Sequence, residues 1–192
     1  MPSRDYRIFI GAFLTSELAE RLRFVQERYD PPTAHITPPH VTLAGTYWRD
    51  GPATPENEAS LIARLRSVPK QIAPFTLRLG GISTFPLADH PVIYLGVEVS
   101  PELLAARRTL LAVMGEAERQ KPRRFTPHLT LAMRLAEAPA QRMIQELQES
   151  EWATRQWAVP ISELKLMQRG PKDTAWRAIA RVPLLGQSNV EQ

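Results

Sequence analysis

One short phrase is written twice in this chain, once in each half. Thr37-Pro38-Pro39-His40-Val41-Thr42-Leu43-Ala44 returns as Thr126-Pro127-His128-Leu129-Thr130-Leu131-Ala132. Each copy sets a Pro before a His, a Thr two residues on, and Leu-Ala after it. Successive side chains of a β-strand point to opposite faces. The phrase therefore predicts two strands showing His and Thr on one face and Val41/Leu43 or Leu129/Leu131 on the other. A single His-x-Thr is met by chance in many proteins, but two with shared flanks constrain the whole fold. The copies stand 88 residues apart (128 − 40), far too long for a solenoid repeat. That spacing predicts two pseudo-equivalent lobes facing each other, and with no low-complexity linker between them the lobes share strands or a core.

The same spelling states a chemistry. Histidine is the side chain whose ordinary pKa lies near neutrality, so one imidazole can be neutral while its twin is protonated. The neutral ring accepts a proton from a nucleophile and the charged ring donates one to a leaving oxygen. Threonine hydroxyls on the same face donate to non-bridging phosphate oxygens and stabilise charge there. Such a set needs neither metal nor cofactor.

Around the two motifs the elements follow from period and punctuation. Arg7 to Leu14 is β-branched and aromatic and reads as a buried strand. Thr15 or Ser16 caps a helix to about Tyr29, with Leu18, Leu22 and Val25 at helical spacing, and Asp30-Pro31-Pro32 stops it. A Pro-rich connection leads to the strand His40–Tyr47, a loop follows from Gly51 to Pro55, and Glu56 to Val68 is amphipathic. Strands are predicted at Phe75–Gly80 and Val92–Val99, with an irregular turn or strand between them. Pro101 opens a helix to about Arg119. A basic loop, Lys121-Pro122-Arg123-Arg124, feeds the strand Phe125–Met133, and a further helix spans Pro139–Glu149. Two strands, Ala158–Gln168 and Ala175–Leu184, close the chain as a hairpin about residues 169–173. Strand–helix–strand–helix–strand thus appears in each half.

Composition removes several alternatives. With 43% hydrophobic and 23% charged residues a core forms without staples, and the absence of cysteine excludes disulfides, thiolate metal sites and cysteine nucleophiles. No apolar run reaches membrane-spanning length, nor does the N-terminus read as a signal peptide, so a cytoplasmic protein with no membrane partner is expected. The net charge of +4 is compatible with a nucleotide or nucleic-acid ligand.

The strands H-V-T-L-A and P-H-L-T-L-A, one per half, with R-R-F-T before the second, resemble those of the 2H phosphoesterases. The similarity is greatest to the 2′-5′ RNA ligase / RNA 2′,3′-cyclic phosphodiesterase group. It extends from R-I-F-I-G-A-F to the closing strands I-S-E-L-K-L-M and W-R-A-I-A-R-V-P-L, with a departure in the T-P-P-H approach to the first motif. The resemblance implies an α+β fold, bilobed, with two pseudo-symmetric lobes of mainly antiparallel sheet and outer helices around a central cleft. Residues 1–185 would form one domain and residues 186–192 a tail. It implies metal-independent hydrolysis of 2′,3′-cyclic phosphate at RNA ends to a 2′-phosphate, with reversible 2′-5′ ligation. Residue by residue, His40 and His128 become the acid/base pair and Thr42 and Thr130 the phosphate ligands. The first His would act as acid toward the 3′ oxygen and the second as base on water. Two alternatives stand beside this reading: action on other cyclic or 2′-5′ linked nucleotides, and a binding module without turnover. Four intact motif residues argue against the module.

Neighbouring residues are weaker candidates. Arg123 and Arg124 precede the second motif, where a guanidinium reaches a phosphate bidentately or simply faces solvent. Tyr47, Trp48 and Phe125 are candidates for stacking on a base, with core packing the better account of Phe125. His35 and His90 read as connection and turn residues, with no zinc site, and Lys172 as a turn residue. Arg107, Arg108 and Arg119 read as an ordinary charged helix face.

Overall fold

Alternation governs the fold from its first strand. The computed structural model describes residues 6–48, 54–85, 90–114 and 125–186. In β1 (Arg7–Phe13) Ile8, Ile10 and Ala12 enter the main core, while Phe9 and Phe13 form a small separate cluster on the other face. Helix α1 (Glu17–Tyr29) buries Leu18, Leu22 and Val25 as expected. Ser16 holds its N-cap position without a side-chain bond, and Glu17 and Glu20 complement the helix dipole instead. Asp30-Pro31-Pro32 does end α1, but it also starts α2 (Pro31–Ile36), where a plain connection was expected. The reason is local: the Asp30 carboxylate accepts from the Thr33 N–H, and a proline in the first turn lacks only a donor the helix does not use.

The first motif strand, β2 (His40–Trp48), leads to α3 (Pro55–Arg64). The helix expected over 56–68 is divided by a 3₁₀ turn at Leu65–Ser67 and resumes as α4 (Val68–Gln71). Pro69 has no N–H with which to continue the ladder. β3 (Phe75–Phe85) runs beyond the expected Gly80 by means of a bulge, marked by a register shift between Leu79 and Ile82 and by Gly81 at φ 74°. β4 (Val92–Val97), α5 (Pro101–Met114), the second motif strand β5 (His128–Ala132), α6 (Glu137–Gln148) and α7 (Glu151–Thr154) follow. The predicted extension of α5 to Arg119 lies outside the described residues.

The largest correction concerns residues 158–168. The one strand expected there is two, β6 (Gln156–Ile161) and β7 (Glu163–Arg169), placed far apart in the sheet. A phase slip at Ser162 is the cause. β6 buries Trp157, Val159 and Ile161, whereas β7 buries Leu164 and Leu166. β8 (Arg177–Pro183) pairs with β7 after the expected turn, where the Gly170 N–H donates to Asp173 Oδ2 at 2.6 Å.

All eight strands are antiparallel in the order β6-β3-β4-β5-β2-β1-β7-β8. β2 and β5 meet through one residue pair, Val41 opposite Leu129, so the sheet is two four-stranded lobes joined at a narrow seam. The lobes do not coincide with the sequence halves. One is continuous, β3 through β6, whereas the other is assembled from β1 and β2 at the start and β7 and β8 at the end. The buried faces of α1, α3, α5 and α6 join one hydrophobic core with Val41, Leu43, Leu129 and Leu131. The opposite face of the sheet is left for the motif His and Thr. The Gly186 N–H donates to the Ile72 carbonyl at 3.0 Å, and residues 187–192 of the expected tail lie outside the described residues. Among the described residues no helix is long and apolar enough to cross a membrane.

Candidate active site

The seam brings the two motifs edge to edge. Val41, Leu43, Leu129 and Leu131 are each 0% exposed, while His40, Thr42, His128 and Thr130 are half-buried on the other face, as the period of two predicts. Antiparallel register through Val41 and Leu129 sets His40 against Thr130 and Thr42 against His128. Each motif His therefore stands across the seam from the motif Thr of the other copy.

Both rings are held in the same way. The Nδ1 of His40 lies 2.9 Å from the Pro38 carbonyl, and that of His128 lies 2.8 Å from the Thr126 carbonyl. A carbonyl only accepts, so Nδ1 carries the proton in both rings and Nε2 is left to exchange one with a ligand. The proline between carbonyl and His in each copy fixes the backbone that makes this bond.

Their surroundings differ. Phe9 and Phe13, from β1, stack on His40 with centroids at 4.8 and 5.1 Å, and Trp176 meets Phe9 edge-on at 4.7 Å. Though one edge of His40 is open to the cleft, this crowding dominates its titration. Desolvation lowers its pKa from 6.5 to about 4, against the Pro38 hydrogen bond that raises it, and the charge of His128 lowers it further. His128 has Phe85 edge-on at 4.9 Å and Tyr94 tilted at 5.2 Å, with neither ring stacked flat upon it.

Three side chains from the helical side hold the motif backbones. Arg107 Nη1, on α5, donates to the Leu43 carbonyl next to Thr42, and its guanidinium lies 4.1 Å from the Phe125 ring centroid. Burial draws the Arg107 pKa below its ordinary value. Gln26 Nε2, on α1, donates to the Thr130 carbonyl at 2.8 Å. The buried Asp30 carboxylate accepts from Thr33 and from the Met133 and Arg134 N–H groups, tying the end of β5 to the start of α2. Helices α1 and α5 thus each support the motif of the other half, at a seam where the two strands offer each other few ladder bonds. Gly45, in the bulge that follows the first motif, sits at φ 121°, and a Cβ there would come within 2.7 Å of Phe9.

Among the other expected site residues, Tyr47 is 8% exposed and packs in the core, so it is no stacking platform. Phe125 is partly buried, packs against the core and carries Arg107 over its ring, in line with the core-packing account. Arg107 is likewise no ordinary surface charge. Arg123, Arg124 and the Trp48 side chain lie outside the described residues. His35 is exposed on α2, and His90 Nδ1 lies 3.1 Å from the Leu135 carbonyl. Reading the sequence missed Phe9, Phe13, Phe85, Tyr94 and Trp176. For Phe9 and Phe13 the signal was present, two aromatics in phase within Arg7-Ile8-Phe9-Ile10-Gly11-Ala12-Phe13.

The model of the 2′-5′ RNA ligase superfamily matches residues 14–173. A protein of Bacillus cytotoxicus, named a phosphoesterase by inference, is 30% identical over 132 residues, which are 69% of this chain and 72% of that one. A similarly named Bacillus cereus protein is 27% identical over 161 residues, 84% of this chain and 87% of its own. Among solved structures, TT0787 of Thermus thermophilus superposes with a TM-score of 0.63 at 24% identity, covering 95% of this chain and 100% of that one. Escherichia coli LigT complexed with 3′-AMP gives 0.62 at 22% identity, covering 96% and 99%. Both share this α+β fold.

Proposed function

The chain belongs to the 2′-5′ RNA ligase superfamily, within the 2H phosphoesterases, and from that premise we propose that it opens 2′,3′-cyclic phosphate at RNA ends to a 2′-phosphate. The observation that carries this reading is the pair of imidazoles at one seam, each with Nδ1 committed to a carbonyl. The complex of LigT with 3′-AMP supports a nucleotide phosphate as the ligand here.

In this mechanism His128 Nε2 accepts a proton from water as the water oxygen bonds to phosphorus. The P–O3′ bond breaks, and O3′ takes the proton held on His40 Nε2, leaving a 3′-hydroxyl and a 2′-phosphate. Thr42 and Thr130 donate hydrogen bonds to the non-bridging oxygens. A 5′-hydroxyl in place of water gives a 2′-5′ linkage instead. With a pKa of about 4, His40 in the free cleft is uncharged near neutrality, and it is also a weak base. The phosphate anion lifts that pKa, so His40 becomes a competent acid when substrate is bound. Arg123 and Arg124 remain candidates for a substrate phosphate, and cytoplasmic RNA ends are the substrate class proposed.

Incubating the protein in EDTA with an RNA oligonucleotide ending in 2′,3′-cyclic phosphate tests this. The expected product is a 2′-phosphate end, with the rate falling by about 10³-fold or more in both His40→Ala and His128→Ala. A 3′-phosphate product, or turnover unchanged in either variant, overturns the mechanism.

A further inference from the structure

A cation without a carboxylate partner stands in row with a motif residue on one side of the seam only, among the described residues. In the register of the first lobe, Thr42 lies opposite Gly11, Gly11 opposite Lys165, and Lys165 opposite Arg181, so these four occupy one row across four strands. Neighbouring strands are ~4.8 Å apart, which puts the Lys165 backbone two spacings from Thr42. Gly11 adds no side chain to this row, and the edge of the Phe9 ring lies over it, 3.0 Å from where a Cβ would stand. Lys165 Nζ and the His40 centroid each lie 5.1 Å from the Phe13 ring centroid, which bounds their separation at twice that distance. Lys165 has no carboxylate within ion-pair reach among the described residues. Arg181, on the edge strand, is 3.7 Å from Glu163 and mostly exposed.

The second lobe offers nothing equivalent. Its rows run from His128 to Gly96 and from Thr130 to Tyr94 and Ser83, without a charge. The cation beside that lane, Arg78, lies 4.0 Å from Glu98. Two lobes that match in their motifs therefore differ in the charge set in row with those motifs.

We propose that Lys165 is a subsite for the backbone phosphate next to the reacting one, so that the body of the RNA leaves the cleft over β7 and β8. This rests on the reading of the cleft as an RNA-end site. An ammonium over an aromatic ring, unneutralised by a carboxylate, is available to a phosphate at little reorganisation cost. The subsite is one nucleotide away from the chemistry, so a mononucleotide does not reach it.

The test is binding, which needs no turnover. A fluorescein-labelled RNA tetranucleotide ending in 3′-phosphate is titrated by anisotropy, and a nucleoside 3′-monophosphate by competition, against the native chain, Lys165→Met and Lys165→Arg. Lys165→Met weakens the tetranucleotide by roughly five- to tenfold at low salt and lowers the slope of log affinity against log salt by about 0.7. Its affinity for the mononucleotide stays unchanged, and Lys165→Arg restores most of the loss. Equal tetranucleotide affinity and slope in Lys165→Met overturn the subsite. Equal losses on both ligands overturn it too, because they place Lys165 at the reacting phosphate. Tetranucleotide binding by the native chain that is no tighter than mononucleotide binding also overturns it. If RNA binds as expected but the cyclic phosphate is never opened, the subsite stands and the proposed reaction fails.

Discussion

His40 and His128 are spelled alike and bonded alike, yet they sit in different solvents. Each sends Nδ1 to the carbonyl two residues before it, at 2.9 and 2.8 Å. What differs is the strand alongside. β1 lays Phe9 and Phe13 flat on His40, whereas β3 and β4 turn Phe85 and Tyr94 at an angle to His128. A motif fixes the tautomer and direction of its histidine, and the neighbouring strand fixes how readily that histidine takes a charge.

The sharpest way to break the comparison is to remove the supports that the two motifs share in kind. Arg107→Met frees the Leu43 carbonyl and Gln26→Leu frees the Thr130 carbonyl. Each should lower kcat about ten- to a hundredfold with KM little changed. Arg107→Lys and Gln26→Glu help separate positioning from mere folding. Recovery by Lys at 107, which keeps a donor, with failure of Glu at 26, which removes one, is the expected pattern. Loss of KM and kcat in proportion in every variant would instead indicate a damaged fold.

Acid sharpens the contrast next. The folded pKa of His40 lies below the ordinary 6.5, so between about 6.5 and 4 the unfolded chain binds a proton that the fold refuses. Stability from this group is therefore complete above 6.5 and is lost as pH falls toward 4, by about 2 kcal/mol once the ring's open edge is allowed for. Denaturant midpoints across this range should slope less in His40→Gln than in the native chain. An unchanged slope would mean that the aromatic stack does not desolvate the ring.

The smallest effect is the most specific. In an NMR titration the His40 resonance should move near pH 4 in the free protein, and Phe13→Leu should shift that midpoint up by about one unit. Inorganic phosphate should raise it as well. A His40 midpoint indifferent to phosphate removes the substrate-coupled charging on which its acid role depends.

Much of this architecture is legible before any coordinates. The two motif strands, their inward and outward faces, and helices α1, α5 and α6 follow from periods of 2 and 3.6, because burial imposes those periods directly. What escaped depends on who sits beside whom. Ala158–Gln168 looks like one strand until the buried positions are seen to change phase at Ser162. Arg107 reads as solvent-facing by composition, and only the diverging seam gives it a carbonyl to hold. Tyr47 packs into the same core as Val41 and Leu43, but its place just past the motif suggested a ligand platform instead. Two prolines in sequence read as a stop, whereas the Asp before them is a cap and they open helix α2.

The strand order has a mechanical meaning. One lobe is threaded into the other as an insert, leaving it through the chain after β2 and returning at Ser162 between β6 and β7. An insert fastened at both ends cannot slide along its host or be exchanged between copies without both crossings being undone. With only the Val41–Leu129 pair bridging the strands, the bonds from Arg107, Gln26 and Asp30 across the seam are what gauge the distance between the two catalytic faces.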